Sequence, residues 1–439
     1  MKDQSRREFL QTSATLAAAG LAAYSAVPRH AFGQAAPASE KIRLGIVGTS
    51  GRGKHLMDRF QEQPDAEFVA VCDVYKPHLE EAIAKTDGKA KGYHDFREVL
   101  DRDDIDAIVV ATPPHWHPLI SILGMQAGKD VYCEKPMCLK PAEGRAMKKA
   151  AHENNAITQI GTQIHADENY HRVVEIVRSG ILGKISAVRN VLALNDVALR
   201  VAGDTTETTI PPDLDWDLWC GPMEVIPYSK AKFTVHRFFK ELVGSWIHEM
   251  GPHIMDLPVW ALEMGPPKAV TAMGGRFVAD DLSTVPDTMD VLYEYPGYVM
   301  SWSNTCANSF GGAFQKEPGI DRRLGISFHG LDATLLADYG WHELVSEGDR
   351  AANRDLPEPY LDRSPGHQRE FLDSIKSRKP CSCSVDYHYN VHVALNLGQA
   401  ALELGRRLEW DDEKGEVVGD SEANDHLAVH YREPWKLPV

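Results

Sequence analysis

Two short stretches carry side chains that could do chemistry. In the first, Glu134-Lys135-Pro136 follows the apolar run Asp130 to Cys133. That run reads as a buried strand, and Pro136 bars a helical conformation at Lys135, so the lysine is held on an extended, turning backbone. A lysine at the carboxyl end of a parallel strand sits where open α/β sheets bind their ligands. In the second stretch, Gly251-Pro252-His253, the proline is placed as the first helical residue, with Gly251 as the cap and Ile254 to Leu262 as the helix. His253 then lies in a first turn, where the helix dipole disfavours protonation and leaves a neutral imidazole able to act as a base. Asp256, three residues on, falls on the same face and could orient the ring.

The elements that must position these groups read clearly upstream. Lys41 to Val47 is a β-branched strand that runs into Gly48-Thr49-Ser50-Gly51-Arg52-Gly53, followed by a helix over Lys54 to Gln61. Strand, glycine turn, helix is the context in which a backbone approaches a pyrophosphate at a helix N-terminus. A Gly-x-Gly-x-x-Gly pattern would place glycine at position 50, where this chain has Ser50. A second strand, Glu67 to Cys72, ends at Asp73, whose carboxylate could accept adenosine ribose hydroxyls and would repel a 2′-phosphate. NAD is therefore expected over NADP, although Lys76 leaves NADP open. The third strand, Ala107 to Ala111, leads into Thr112-Pro113-Pro114-His115-Trp116-His117, and the fourth delivers Glu134 and Lys135. Strands and helices alternate with every punctuated strand end on one edge, the doubly wound parallel α/β arrangement that binds dinucleotides.

These residues resemble the Gfo/Idh/MocA oxidoreductases, named for glucose–fructose oxidoreductase and inositol dehydrogenase. The resemblance runs through Gly48 to Gly53, Asp73, Thr112-Pro113 with His117, Glu134-Lys135-Pro136, Gly161-Thr162-Gln163, Leu214 to Trp219, Gly251-Pro252-His253 with Asp256, and Gly366 to Asp373. It implies a Rossmann domain followed by an α+β domain with a large, mostly antiparallel sheet. The expected bounds are a signal peptide over 1–38, the nucleotide domain over 39–160 and a substrate and oligomerisation domain over 161–439. It also implies that Gly48, Thr49, Ser50, Gly51, Arg52, Gly53, Asp73, Thr112, Pro113, His117, Glu134, Lys135 and Gln163 hold the nucleotide. Relatives that oxidise sugars and polyols surround the reacting carbon with a lysine, an aspartate and a histidine. Lys135 and His253 match two of these, and Glu249 stands where the aspartate is usual, a side chain longer by roughly 1.3 Å. On this basis His253 takes a hydroxyl proton while hydride passes to the nicotinamide, Lys135 hydrogen-bonds the developing alkoxide, and Glu249 polarises His253 or holds a substrate hydroxyl.

The second half supports a sheet on its own pattern: Met289 to Tyr295 and Tyr298 to Asn304 alternate around Pro296-Gly297 as a hairpin. Leu324 to Phe328 and Thr334 to Ala337 read as further strands, Tyr389 to Leu404 as a helix, and Leu408 to Val439 as a polar tail anchored by Trp435. Trp216 and Trp219 read as structural, with sugar stacking the lesser role. Cys381, Cys383, His388 and His392 are spaced loosely like metal ligands, but no zinc pattern is present and no metal is expected.

The 439 residues, 43% hydrophobic and 25% charged, suit two globular domains. A net charge of −16 argues against nucleic acid or an anionic membrane as partner. The seven cysteines are odd in number and irregularly spaced, which implies no disulfide framework. Ser5-Arg6-Arg7-Glu8-Phe9-Leu10, an Ala-rich apolar stretch over Thr12 to Val27 and small residues around Ala31 to Ala38 follow the order of an export signal. The paired arginines resemble the twin-arginine signal, which implies export in folded form to the periplasm or beyond, with no membrane span in the mature protein. An exported enzyme meets no free nucleotide pool, so the cofactor is expected to stay tightly bound and be recycled by a second substrate. The expected partner is a sugar, cyclitol or glycoside, and a homo-oligomer is expected. Two alternatives stay open: an NAD-dependent glycosidase working through a transient keto-sugar without net redox, and a non-catalytic ligand sensor on the same fold.

Overall fold

Short apolar runs ended by glycine or proline form the first sheet. The computed structural model describes residues 41–194, 207–308 and 324–438, so the predicted signal peptide lies outside the described residues. Strands β1 (Ile42–Val47), β2 (Ala66–Cys72), β3 (Lys91–Tyr93), β4 (Ala107–Val110), β5 (Asp130–Cys133) and β6 (Thr158–Ile160) pair in the order β3-β2-β1-β4-β5-β6, all parallel. β4, β5 and β6 are buried along their whole length, as strands covered on both faces must be. The order reverses between β1 and β4, so the glycine loop after β1 and the Thr112 loop after β4 open into one crevice.

Among the described residues the second sheet has nine strands, in the order β13-β12-β11-β7-β10-β9-β8-β14-β15. They are β7 (Ile185–Ala193), β8 (Ala269–Gly275), β9 (Thr288–Tyr295), β10 (Tyr298–Thr305), β11 (Leu324–Gly330), β12 (Ala333–Ala337), β13 (His342–Ser346), β14 (Leu408–Asp411) and β15 (Glu416–Val417). Neighbours run antiparallel except β7 and β10. The hairpin turns at Gly297, whose φ of +89° favours glycine. The fold is thus a doubly wound parallel sheet followed by an α+β domain with a large, mostly antiparallel sheet.

The tail differs from its expected form. Instead of a polar extension it adds β14, β15 and a helix over Ser421–Leu427, and Trp435 packs 4.9 Å from the Trp116 ring and 6.2 Å from Phe96. β14 buries only alternate residues over four positions, too short a pattern to stand out in a charged tail.

Two helix boundaries also differ, and both bear on the site. Helix α1 spans Gly51–Gln61, not Lys54 onward, so Arg52 and Gly53 belong to its first turn. Helix α2 spans Trp246–Ile254 and contains Pro252 near its end; α3 follows over Asp256–Leu262. Pro252 therefore does not open a helix. The real start is Ser245, extended, after Gly244 at φ +79°, where a Cβ would come within 2.8 Å of the His248 ring.

Candidate active site

Every strand end of the first sheet that points into the crevice supplies a wall of a cleft of about 560 Å³. Gly48, Ser50, Gly51 and Arg52 line it from the glycine loop, Asp73 from β2, Thr112, Pro113 and His117 from β4, Glu134 and Lys135 from β5, and Gln163 from beyond β6. Glu249 and His253 reach it from α2. Helix α4 (Val385–Leu404) lies behind them, between the helix Pro141–Glu153 and β8.

The glycines divide their work. A Cβ on Gly48 would lie 2.7 Å from the Ala111 and Thr112 backbone, and one on Gly53 would lie 2.1 Å from the Gly48 carbonyl. Both let α1 and the β4 loop close against the glycine turn. Around Gly51 no atom lies within 4 Å of that point, so the N-terminus of α1 opens onto the cleft, with Ser50 as an uncapped N-cap. That free face and the helix dipole suit a pyrophosphate. The Asp73 carboxylate accepts from the Thr49 amide at 2.8 Å, the Thr49 hydroxyl at 3.1 Å and the Tyr75 amide at 2.9 Å. It is thereby fixed in place while still lining the cleft, with about one lone pair left for a ribose hydroxyl. Thr49 acts through Asp73.

His117 has both ring nitrogens against carbonyls, Nδ1 at 2.7 Å from Pro136 O and Nε2 at 2.7 Å from Thr112 O. Burial pushes its pKa down to about 4, so the neutral ring donates to one of the two. The ring ties the β4 loop to the turn after Lys135.

Two ion pairs face the cleft. Arg52 Nε donates to Glu134 Oε1 at 2.7 Å, and Arg52 Nη2 donates to Gln163 Oε1 at 3.0 Å. Burial pushes the Glu134 carboxyl upward, and the Arg52 guanidinium opposes that shift. The second pair is Lys135, whose Nζ lies 3.1 Å from Glu249 Oε1 and donates to the Glu249 carbonyl at 2.8 Å. Burial would raise the Glu249 carboxyl, but Lys135 outweighs it and holds the group below its ordinary range. The expected polarisation of His253 by Glu249 gives way to a Lys135–Glu249 clamp.

His253 is neutral for a different reason from the one the sequence suggested. It sits in the last turn of α2, where the dipole would favour protonation. Burial, with the charges of Lys135 and Arg52, instead pushes it well below the ordinary histidine range. Its Nδ1 is buried with no hydrogen-bond partner among the described residues, which leaves Nε2 to meet whatever enters the cleft. Asp256 does not orient this ring. Its carboxylate lies 2.8 Å from His165 Nδ1 and accepts from the Tyr387 hydroxyl at 2.6 Å. Met255 ends the helical turn between His253 and Asp256, so the two do not share one helix face.

The structure adds residues that the sequence did not single out. His236 and Arg237, in a short turn before α2, line the cleft beside Glu249 and Lys135. The segment 213–215 crosses from the second domain onto the Asp73 loop, with Lys76 N donating to Asp213 O at 3.0 Å and Asp215 N to Val74 O at 3.1 Å. Trp216 and Trp219 stack at 4.4 Å, and Trp219 also lines the cleft. No local pattern marks His236 or Arg237. Cys383 and His388 meet Thr162, and His392 accepts from the Met137 amide at 2.8 Å.

Residues 42–162 match the family model for the NAD-binding Rossmann fold of the Gfo/Idh/MocA oxidoreductase family, and residues 352–437 match that family's C-terminal alpha/beta domain. Both matched regions thus point to the Gfo/Idh/MocA oxidoreductases. The chain is 33% identical over 144 residues to an uncharacterized oxidoreductase of Streptococcus pneumoniae, covering 33% of this chain and 38% of that protein. It is 30% identical over 205 residues to a glycosyl hydrolase family 109 protein of Shewanella pealeana, covering 41% of this chain and 44% of that one. The matched region is therefore less than half the length of either relative. Among solved structures, GenD2 from gentamicin A biosynthesis, in complex with NAD, superposes with a TM-score of 0.62 at 21% identity, covering 88% of this chain and 99% of that one. Levoglucosan dehydrogenase in complex with NADH superposes with a TM-score of 0.61 at 18% identity, covering 84% and 99%. At those identities the likeness is one of fold.

Proposed function

We propose that this chain is a Gfo/Idh/MocA-type, NAD-dependent oxidoreductase that moves hydride between the nicotinamide and a hydroxyl-bearing carbon of a sugar, cyclitol or glycoside. The observation that carries the reading is the placement of Lys135 and a neutral His253 in the same cleft as the open glycine turn. Bound nicotinamide supplies the hydride acceptor or donor. His253 Nε2 takes the hydroxyl proton, and Lys135, held by both the carboxylate and the carbonyl of Glu249, donates to the oxygen on which charge develops. Arg52, Glu134 and Gln163 lock the nucleotide side of the cleft into one geometry. Exported, the enzyme keeps its nucleotide between half-reactions. Mass analysis of the nucleotide released from purified protein, followed by the spectral change on adding a sugar panel, tests the reading. Released NAD and a growing reduced-nicotinamide band are expected; a protein that neither carries nor takes up the nucleotide would sink it.

A second reading is kept alive by the relatives named glycosyl hydrolase family 109 and by the ionised Glu249 beside Lys135. Oxidation, elimination of the glycosidic substituent, hydration and re-reduction would use the same residues, with a carboxylate assisting elimination. Aglycone release from an aryl glycoside without net NADH separates the two.

A further inference from the structure

The charges that line the cleft do not all cancel. Arg52 is matched by Glu134 at 2.7 Å, and Lys135 by Glu249 at 3.1 Å. Asp73 lies at the opposite end, with its carboxylate on the Thr49 and Tyr75 amides. Burial leaves the nearby imidazoles uncharged: His117 and His236 are pushed down to about 4, and His253 well below its usual range. One charge remains. Arg237 is exposed, lines the cleft, and has no hydrogen bond or ion pair among the described residues; its guanidinium rests 5.3 Å from the Phe238 ring. Its field reaches both Glu249 and His236, which puts it close to the Lys135–Glu249 pair.

An unmatched arginine is notable in a chain of net charge −16, where 63 acidic side chains could have supplied a partner. A guanidinium presents a fixed fork of donors that fits a carboxylate or a phosphate through two parallel hydrogen bonds. A neutral hydroxyl uses that fork poorly. The ring of Phe238 lies against the guanidinium.

We infer that the substrate is an acidic sugar, with its anionic group, a carboxylate or a phosphate ester, held by Arg237 while the hydroxyl-bearing carbon faces Lys135 and His253. The inference rests on the reading given above for the reaction, but binding alone can test it. The anion anchors the sugar near Glu249, and the Lys135–Glu249 pair keeps that carboxylate from repelling it. Such an anchor would fix which hydroxyl is presented, because a charge-assisted fork admits fewer orientations than hydroxyl contacts do.

The test is equilibrium binding of D-glucuronate, D-glucose 6-phosphate and D-glucose to the NAD-loaded full-length protein, wild type against Arg237→Ala and Arg237→Lys. The wild type is expected to bind at least one of the two anions about 10–100-fold tighter than glucose. The anion preferred identifies a uronate or a phosphate ester as the source. Arg237→Ala should bring that ratio towards one, and Arg237→Lys should restore part of it. Equal binding of all three sugars by the wild type overturns the inference, as does a preference that survives Arg237→Ala. A variant that loses NAD while keeping the ratio assigns the guanidinium to the nucleotide, and the inference fails. Anion binding without any reduced-nicotinamide signal would leave this inference standing and defeat the proposed reaction.

Discussion

His253 and His165 are both almost fully buried, both are carried beside the α2–α3 junction, and they end in opposite protonation states. Burial acts on each in the same direction, against the charged form. For His253 nothing opposes it, since the nearest charges, Lys135 and Arg52, are themselves positive. For His165 the Asp256 carboxylate, 2.8 Å from Nδ1, overcomes burial and raises the imidazole well above its ordinary value. Trp260 stacks on the ring at 3.9 Å, and Tyr387 donates to the other Asp256 oxygen. The difference shows why a buried histidine cannot be given a role from burial alone. The one left without a carboxylate stays neutral and can serve as the base of the proposed reaction; the one given a carboxylate is a charged brace that fastens the Gln163 turn to α3.

The largest effects are expected from the His253 side, where the proposed chemistry lies. In the NAD-loaded protein, Lys135→Ala should lower kcat by about 10³-fold, and His253→Asn by about 10²–10³-fold. Steady-state rates with nucleotide counting check this, and near-wild-type turnover in either variant would remove that residue from the mechanism. The pH profile sharpens it. Because His253 is pushed below its ordinary range, lowering the pH through 6.5 should leave kcat flat, with any acid limb appearing only lower. A limb centred near 6.5 would mean that His253 titrates like a free histidine.

On the other side, Asp256→Asn strands His165 in the interior, a change expected to cost about 3–5 kcal/mol of stability. The sign of its pH dependence is fixed. The folded-state pKa of His165 is raised, so the pair's contribution is full below the unfolded value of 6.5 and is lost as the pH rises through the folded value. His253 runs the other way: its folded-state pKa is lowered, so its neutral form holds stability above 6.5 that is lost as the pH falls. Denaturant unfolding of wild type and Asp256→Asn should therefore show the largest gap at mildly acidic pH and a narrowing gap at alkaline pH. The smallest effect is expected from Trp435→Ala, about 1–2 kcal/mol with no such pH dependence, since Trp435 touches neither histidine but the rings of Phe96 and Trp116.

The parts of this account that were legible in the sequence are those written locally. β1, β4 and β5 are runs of four to six residues ended by glycine or a proline turn, and their ends had to fall on one edge of a parallel sheet. That is enough to bring Gly48 to Gly53, Asp73, Lys135 and His117 together. Glu249 and His253 joined them because the resemblance aligned them, and the structure brings them to the same cleft. The partners were not legible. Asp256 meets His165, 91 positions away, and Arg52 meets Glu134, 82 positions away, so spacing along one helix could not choose between them. The Pro252 signal misled for a physical reason. Proline suits a first turn, but α2 had already been opened by Gly244 and Ser245, and it tolerates the missing amide near its end.

The most direct test of hydride transfer in this cleft is isotopic. The NAD-loaded protein is given a turned-over sugar deuterated at its hydroxyl-bearing carbons, quenched within one turnover, and its nucleotide is weighed. Deuterium in the nicotinamide of the wild type, and none in Lys135→Ala carrying the same nucleotide, is the predicted result. A sugar consumed while the nucleotide stays unlabelled would contradict the account.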